Sequence, residues 1–380
     1  MSTERTSFDV IVCGVGAMGS ATVYQLARRG LKVLGLERFN IPHNLGSSHG
    51  ITRIIRLCYY EHPSYVPLLR RAYELWRELE HETGERLLHV TGSIDAGPPD
   101  STVLAGSLAS CREHGLPHEL LTSSEVSRRF PAYRLPEETL AVLQPDGGFL
   151  TPERCIVQHV TRAQERGAVV RAREPVIQWE ADAHGVRVTT DKGTYHGGKL
   201  VIAAGAWLGR LVPQLARTAI PERQVLGWFQ PERPEWFRPE ACPVFNVAVP
   251  EGRYYGLPIY GVPGFKVGRY HHWQQQQDPD RIGQDTEPED EAILRDFVQQ
   301  YFPAGAGPTM ALAPCMFTNT ADEHFILDRH PEHENVILAS PCSGHGFKFA
   351  SVVGEIVADL AERGATRHDI ALHRLPRLLN

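Results

Sequence analysis

The sequence predicts an α/β protein with two interleaved domains, one with a parallel sheet assembled from separate segments and one with a mainly antiparallel sheet. The chain opens with strand, glycine turn, helix and strand, and it closes with strand, glycine turn and helix. The stretches between these ends are turn-rich or aromatic, which is a different composition. A strand–helix–strand unit implies a parallel sheet, so the two ends are expected to share a domain.

The first elements follow from local sequence patterns. "DVIVCG" is rich in β-branched residues and predicts a short strand, and "LKVLGLE" predicts the next one. Between them, "GAMGSATVYQLARRG" has apolar residues at helical spacing and ends in glycine, which indicates a helix with a C-terminal stop. "YVPLLRRAYELWRELEHETG" then predicts a long amphipathic helix.

The middle of the chain alternates between two kinds of segment. From "TGSIDAGPPD" to "VLQPDGGFL" the sequence mixes short strands with turn clusters, whereas "GAVVRAREPVIQWEADAHGVRVTTDKGTYHGGKLVIAAGAW" returns to strand alternation. From "PERQVLGWFQ" to "RYHHWQQQQ", aromatic strands interrupted by proline predict the antiparallel sheet. The expected boundaries are residues 1–90, 150–220 and 322–380 for the parallel-sheet domain, and residues 91–149 and 221–321 for the second domain.

Composition argues against several functional classes. The chain has 380 residues, 22% of them charged, and its formal net charge of −6 is spread over both signs, so no nucleic-acid-binding face is expected. No apolar run approaches the roughly 20 residues that span a bilayer, and the polar N-terminus predicts a cytoplasmic protein. Seven widely spaced cysteines indicate free thiols in a reducing compartment. "RHPEH" and "CSGH" contain candidate metal ligands without zinc-type spacing, so no metal is predicted.

The first glycine turn predicts a dinucleotide site. "GVGAMG" places Gly14, Gly16 and Gly19 in a G-x-G-x-x-G pattern that follows a strand and opens a helix. The helix N-terminus then favours a pyrophosphate, and Glu37, at the end of the next strand, can accept hydrogen bonds from ribose hydroxyl groups. NAD and FAD both bind to this motif, so the pattern alone does not choose between them.

Several longer stretches carry a resemblance to a known family: "GVGAMGSATVYQLARRG", "GSSHGITRIIR", "YYGLPIYG", "GFKVGRYHH", "PCMFTNTADEHFILDRHPEHENVILA" and "SGHGFKFA". Together they resemble the monomeric sarcosine oxidase and N-methyltryptophan oxidase family of flavin-dependent amine oxidases, over essentially the whole chain. The resemblance implies FAD as the dinucleotide. It also implies a Rossmann-like FAD domain of discontinuous segments beside a substrate domain, as in glutathione reductase and D-amino-acid oxidase.

The resemblance gives a role to a lone cysteine. In the family, the cysteine of the "C-M-x-T" segment is bonded through sulfur to the 8α carbon of the flavin, and Cys315 matches it. Without this context, Cys315 would be interpreted as a small buried apolar residue. The resemblance assigns further FAD contacts to residues of both glycine turns and their neighbours: Gly14, Val15, Gly16, Ala17, Met18, Gly19, Glu37, Arg38, Ser48, His49, Arg53, Val176, Met316, Gly344, His345, Gly346, Phe347 and Lys348.

Three cationic functions are implied by the resemblance. Arg56 and Lys348 match the pair that holds a substrate carboxylate, where charge-assisted hydrogen bonds contribute about 1.5–3 kcal/mol each. Arg53 matches an arginine beside the flavin ring. Lys266, in the apolar strand "GFKVG", matches the lysine that activates oxygen, and a buried lysine is rare unless it has a function.

The remaining site residues include departures from the family. Tyr255 and a histidine of "RYHHW" match residues that line the substrate cavity, and we assign His271 rather than His272. Asn246 stands where the family has a methionine over the substrate, and Phe317 stands where it has a tyrosine. These changes alter the shape and polarity of the cavity, so they bear on the substrate rather than on the reaction.

The predicted function is an FAD-dependent oxidase of secondary amino acids such as sarcosine or a larger N-methyl amino acid. Hydride transfer to flavin gives an imine that hydrolyses to an aldehyde and a primary amine, while O2 is reduced to H2O2. A cyclic imino acid or a glycated amino acid is an alternative substrate. Two further alternatives are a dehydrogenase with a protein electron acceptor and a flavin-carrying scaffold. A monomer is expected, because members of the family are usually monomeric.

Overall fold

The computed structural model describes residues 7–281, 285–340 and 343–378. The strands are β1 Ser7–Cys13, β2 Val33–Leu36, β3 Arg53–Ile55, β4 Leu88–Val90, β5 Ser93–Gly97, β6 Glu119–Thr122, β7 Leu140–Gln144, β8 Gly148–Leu150, β9 Val169–Arg171, β10 Val176–Asp182, β11 Gly185–Thr190, β12 Thr194–Ile202, β13 Ile220–Phe229, β14 Val244–Val249, β15 Gly252–Leu257, β16 Phe265–Arg269, β17 Thr309–Asn319, β18 Ile326–Arg329 and β19 Val336–Ser340. The helices are α1 Ala17–Arg28, α2 Tyr65–Thr83, α3 Thr102–His114, α4 Ser123–Arg129, α5 Pro152–Glu165, α6 Leu208–Leu211, α7 Pro288–Tyr301 and α8 Ala350–Arg363.

The first sheet joins both ends of the chain. Its order is β10-β11-β12-β1-β2-β9, and β19 also pairs with β12 and with β18. The strands β2, β1, β12 and β19 run parallel, as expected for a doubly wound sheet. Helices α1 and α8 pack against each other without a gap, since a Cβ atom on Gly354 would lie 2.6 Å from the carbonyl carbon of Ala21.

The second sheet has the order β17-β13-β16-β15-β14-β5-β7-β6. Its pairs are antiparallel except β14 with β5, which are parallel. A small third sheet has the order β3-β8-β4. In the chain, its strands lie between β2 of the first sheet and β9, on either side of β5, β6 and β7. The α/β class with a parallel-sheet domain and a mainly antiparallel domain is therefore confirmed.

Two helices lie where the sequence indicated only strands and turns. α3 begins after Ser101, whose hydroxyl group accepts from the Leu104 amide, and it ends at Gly115 with φ 59°. α4 begins with a capping box between Thr122 and Glu125. Both helices begin with the capping residues that are typical of a helix N-terminus. Their few apolar residues have too weak a helical periodicity for the helices to be predicted from the sequence.

Three general expectations can be compared with the structure. Six cysteines are free and buried, and Cys342 lies outside the described residues. Within the described part of the chain, each helix is too short or too polar to cross a bilayer. The strands before residue 91 and after residue 322 belong to the first or third sheet, whereas β13 to β17 all belong to the second.

Candidate active site

One face of the second sheet brings together residues that are far apart in sequence. Paired residues of adjacent strands point to the same face, as do residues two apart along one strand. The register forms a row across five strands, from Leu226 through Gly268, Tyr255 and Asn246 to Asp95. Lys266 lies on this face because it is two residues from Gly268 on the same strand. Cys315 also lies on it, because it pairs with Gln224, which is two residues from Leu226. We call this surface the site face.

The glycine turn at the end of β1 is held by close backbone contacts. Gly14 has φ +89°, and a Cβ atom on it would lie 2.6 Å from the Ala203 carbonyl oxygen. Gly19 packs against the same turn, because its Cβ atom would lie 1.7 Å from the Gly14 carbonyl oxygen. The Glu37 carboxylate accepts from the Val15 amide at 2.8 Å, so it also stabilises the turn.

A single cavity connects the glycine turn with the site face. Most of the residues predicted from the sequence line it: Gly14, Val15, Gly16, Ala17, Met18, Glu37, Arg38, Ser48, Arg53, Val176, Tyr255, Cys315, Met316, Gly344, His345, Gly346, Phe347 and Lys348. Six predicted residues do not line it: Gly19, His49, Arg56, Asn246, Lys266 and His271. His49 instead lines a neighbouring surface pocket with Glu153, and burial lowers its pKa to about 3.

Cys315 lies beside two cations. Arg53 donates to its sulfur at 3.6 Å and to the Ser47 carbonyl at 2.9 Å. Lys266, buried behind the cavity wall, donates to the Gly50 and Thr52 carbonyls at 2.8 and 2.7 Å. Burial and the charge of Arg53 lower the pKa of Lys266, whereas the charge of Glu153 raises it. The two opposing effects act on a side chain that is 1% exposed.

Arg56 and Lys348 meet at the ring of Tyr59. The Arg56 guanidinium carbon lies 4.5 Å from the ring centroid, and the Lys348 ammonium lies 5.2 Å from it. Burial and the Arg56 charge lower the pKa of Lys348 to about 7. The predicted pair is therefore brought together, although only Lys348 lines the cavity itself.

Two buried carboxylates hold the Arg56 guanidinium. Glu61 accepts from Nη2 with both oxygens, at 3.1 and 2.8 Å, and Asp95 lies 3.6 Å from Nη1. Asp95 in turn accepts from Asn246 at 2.7 Å and from Ser107 at 2.9 Å. Asn246 thus lies on the site face, but its amide donates to Asp95 and does not line the cavity, so the predicted position over the substrate does not agree with the geometry.

Tyr270, rather than His271, lines the cavity. It follows Gly268 by two residues and so faces Tyr255, with ring centroids 5.2 Å apart. His271 has φ +53°, which turns it away from the strand direction. Its ring bonds Glu222 at 3.2 Å and Glu323 at 3.0 Å, and these partners raise its pKa to about 9. The assignment of His271 to the cavity wall therefore does not agree with the geometry.

One cluster outside the cavity has metal-ligand chemistry. His330, Glu332 and His333 of the "RHPEH" segment place ligand atoms within 4.8 Å of one another. The two histidine rings pack against Trp179, with centroids 5.6 and 5.4 Å from its ring.

Comparisons with known proteins give the family. A profile described as "FAD dependent oxidoreductase" matches residues 9–360. Monomeric sarcosine oxidase of Bacillus sp. (strain B-0618) is 42% identical over 377 residues, which cover 98% of this chain and 96% of that protein. N-methyl-L-tryptophan oxidase of Yersinia pestis (strain Pestoides F) is 35% identical over 372 residues, covering 97% and 99%. The chain belongs to this family of FAD-dependent oxidoreductases.

Solved structures of the same fold support the two-domain architecture. NikD, an unusual amino acid oxidase essential for nikkomycin biosynthesis, is 28% identical with a TM-score of 0.85, covering 97% of this chain and 98% of NikD. L-proline dehydrogenase from P. horikoshii, at 22% identity and a TM-score of 0.85 over 98% of this chain and 97% of that one, shares the fold. The resemblance identified from the sequence is thus confirmed.

The residues present in this family member fit FAD. The N-cap of α1 is Gly16, with no side-chain hydrogen bond and no acidic residue in the first helical turn. The Ala17 amide donates to the Ser48 hydroxyl group at 3.4 Å, and the amides that follow it in the first turn are available to the diphosphate. At the other end, Cys315 and residues 344–348 of the second glycine turn line the same cavity.

Several residues of this FAD enzyme's site were not found from the sequence. Tyr59, Glu61 and Asp95 hold the predicted cations, and Tyr270 supplies part of the cavity wall. Glu61 was detectable in principle, because it follows the "TRIIR" segment by five residues. Asp95 was not, because its contact with Arg56 depends on the pairing of β5 with β14.

Proposed function

We propose that this chain is an FAD-dependent oxidase of secondary amino acids, acting on sarcosine or a larger N-methyl amino acid. The products would be hydrogen peroxide and an imine, which water hydrolyses to an aldehyde and a primary amine. The observation that carries the proposal is the Arg56–Lys348 pair, two buried cations at the ring of Tyr59, beside the cavity that holds Cys315. The relatives named sarcosine oxidase and N-methyltryptophan oxidase support the same substrate class.

The substrate carboxylate would bind to Lys348 and Arg56. Lys348 donates one N–H to the His345 carbonyl at 2.8 Å, which leaves two donors for a ligand. Arg56 is bonded to Glu61, so an arriving carboxylate competes with that side chain for Nη2. Asp95 stays fixed by Asn246 and Ser107, and it keeps the guanidinium oriented during the exchange.

FAD would be attached to Cys315 through an 8α-S-cysteinyl bond. Bound FAD would supply the two-electron chemistry, accepting a hydride from the carbon beside the amine nitrogen and passing the electrons to oxygen. Arg53 would stabilise negative charge near the sulfur and the ring, because its guanidinium is held 3.6 Å from Cys315. Tyr255 and Tyr270 would exclude water from one wall of the substrate space.

Lys266 would provide the positive charge for oxygen reduction. Its ammonium form satisfies three acceptors, the Gly50 and Thr52 carbonyls and the Thr52 hydroxyl group. A unit charge about 4 Å away, at an effective dielectric constant near 20, is worth roughly 4 kcal/mol. That energy corresponds to about a thousandfold in rate. An oxygen-reducing role for Lys266 favours an oxidase over a dehydrogenase with a protein acceptor.

The test is anaerobic mixing of the purified enzyme with N-methyl amino acids. Sarcosine or a larger N-methyl amino acid should bleach the flavin absorbance, and admission of air should restore it with one peroxide per turnover. Cyclic imino acids and glycated amino acids belong in the same screen, since they are the alternative substrates. If none of the N-methyl or cyclic secondary amino acids bleaches the flavin, the proposal is wrong.

Size-exclusion chromatography with light scattering tests the expected monomer, and fractionation of cells tests the expected cytoplasmic location.

A further inference from the structure

A third arginine reaches the substrate region. Arg253 precedes Tyr255 by two residues on β15, so it lies on the site face. Its guanidinium carbon lies 3.8 Å from the centroid of the Tyr270 ring and 5.3 Å from that of Tyr60. The side chain is half-buried. It is therefore a cation placed between two aromatic rings at the outer end of the site.

The carboxylates near Arg253 form ion pairs with other side chains. The charges of Glu61 and Glu323 act on it. Glu61 bonds Arg56 at 2.8 Å, and Glu323 bonds His271 at 3.0 Å. Among the described residues, the Arg253 guanidinium has no ion pair and no hydrogen bond. A partly buried arginine without a partner is rare, because its five N–H donors lose water without gaining acceptors.

Arg253 also lies in a groove that borders the cavity. It lines an open groove together with Tyr270, Thr102, Ala248 and Glu323. Tyr270 lines both this groove and the cavity that holds Lys348 and Cys315. A substrate bound at Lys348 would thus direct a long side chain past Tyr270 toward the arginine.

Arg253 and Arg56 pack on the same aromatic side chain. The guanidinium carbons of Arg56 and Arg253 lie 4.2 and 5.3 Å from the centroid of the same Tyr60 ring. The buried Tyr60 hydroxyl group interacts with the side chain of Tyr270 and so links this ring to the cavity wall. The free guanidinium fork of Arg253 matches a carboxylate, which accepts two parallel hydrogen bonds from arginine.

We propose that Arg253 binds a second, distal carboxylate of the substrate, so the preferred substrates are N-methyl derivatives of dicarboxylic amino acids. The first carboxylate binds to Arg56 and Lys348, and the second binds to Arg253 across the Tyr60 ring. This inference rests on the proposed function, because it names the side chain of the same substrate. It assigns Arg253 as a specificity-determining residue.

The test compares N-methyl-L-glutamate with N-methyl-L-glutamine, which have the same length and differ in the distal charge. The wild-type enzyme should have at least a tenfold higher kcat/KM for the glutamate derivative. Arg253→Met should bring the ratio of the two values close to one, and Arg253→Lys should keep part of it. Arg233→Met, which removes an exposed arginine elsewhere, should leave the ratio as in the wild type. Arg253→Gln serves the same purpose if the methionine variant does not fold.

A binding measurement separates this inference from the proposed oxidase activity. Glutarate and its monoamide should be titrated into the wild-type holoenzyme and into Arg253→Met, with the flavin absorbance and the melting temperature as readouts. If no N-methyl amino acid is oxidised but glutarate still binds more tightly than the monoamide in an Arg253-dependent way, the oxidase proposal fails and the anion site stands. A wild-type enzyme that does not distinguish the two ligands, or a preference that survives in Arg253→Met, overturns the inference.

Discussion

The Arg53 guanidinium and the Cys315 sulfur lie 3.6 Å apart, although 262 residues separate them in the chain. Arg53 is fixed by the Ser47 and Thr52 carbonyls, at 2.9 and 3.0 Å. A rigidly placed cation favours the negative charge that a thiol must develop before it bonds to an electrophilic carbon. The pair therefore supports the proposed attachment of FAD at Cys315.

Replacement of this thiol tests the attachment directly. The acid-denatured wild-type protein should have the mass of the polypeptide plus one FAD, whereas Cys315→Ala should have the mass of the polypeptide alone. Cys242→Ala is the matched control, because it removes another buried thiol from the second domain and should retain the added mass. If the denatured wild-type protein has only the mass of its polypeptide, the proposed covalent bond to FAD is wrong.

The titration of Lys348 should make carboxylate binding depend on pH. Burial and Arg56 lower the pKa of this lysine to about 7, so its charge is present below that pH and is lost as the pH rises through it. The Kd of an unreactive carboxylate such as propionate should therefore rise above about pH 7, by up to about tenfold per pH unit. Perturbation of the flavin absorbance measures it.

The control for this pH dependence is Lys348→Arg. Arginine stays protonated throughout the accessible range, so the Kd of this variant should be nearly independent of pH between about 6 and 8.5. An unchanged Kd in the wild-type enzyme over the same range would show that the lysine keeps its charge and that the prediction is wrong.

Lys266→Met should slow the reaction with oxygen selectively. Loss of the ammonium removes the charge held at the Gly50 and Thr52 carbonyls, and reoxidation of reduced enzyme should slow by about a thousandfold. Anaerobic reduction by substrate should change much less, because Lys266 does not line the cavity. Stopped-flow measurement of the two half-reactions separates the effects, with the exposed Lys192→Met as control. Equal slowing of both half-reactions would refute the assigned role.

The sequence was sufficient for features that depend on local pattern. The βαβ unit and the glycine turn have a recognisable order of residues, and their elements form as predicted. α3 was missed because its buried positions include small residues such as Ser107 and Ser110, which give a weak apolar period. Local pattern therefore predicted the ends of the chain better than its middle.

Features that depend on strand register could not be predicted from the sequence. Tyr270 and His271 are adjacent, and only the pairing of β16 with β15 decides which of them faces Tyr255. A shift of one residue reverses the face to which a side chain points, so the choice between neighbours could not be made from spacing. The same holds for Asp95, which meets Arg56 and Asn246 through a parallel pair of strands distant in sequence.

His159 should make the fold sensitive to acid. It is buried between the rings of Tyr24 and Trp76, with centroids 5.4 and 5.2 Å away, and burial lowers its pKa to about 3. The unfolded chain binds a proton near the ordinary histidine pKa of about 6.5, so stability is lost as the pH falls from there toward 3. The loss can reach about 1.4 kcal/mol per pH unit. The melting temperature of His159→Phe should therefore fall less than that of the wild type between pH 7 and pH 5. In the control His184→Gln, which changes an exposed histidine, it should fall as much as in the wild type. An equal loss in His159→Phe would assign the acid sensitivity to other groups.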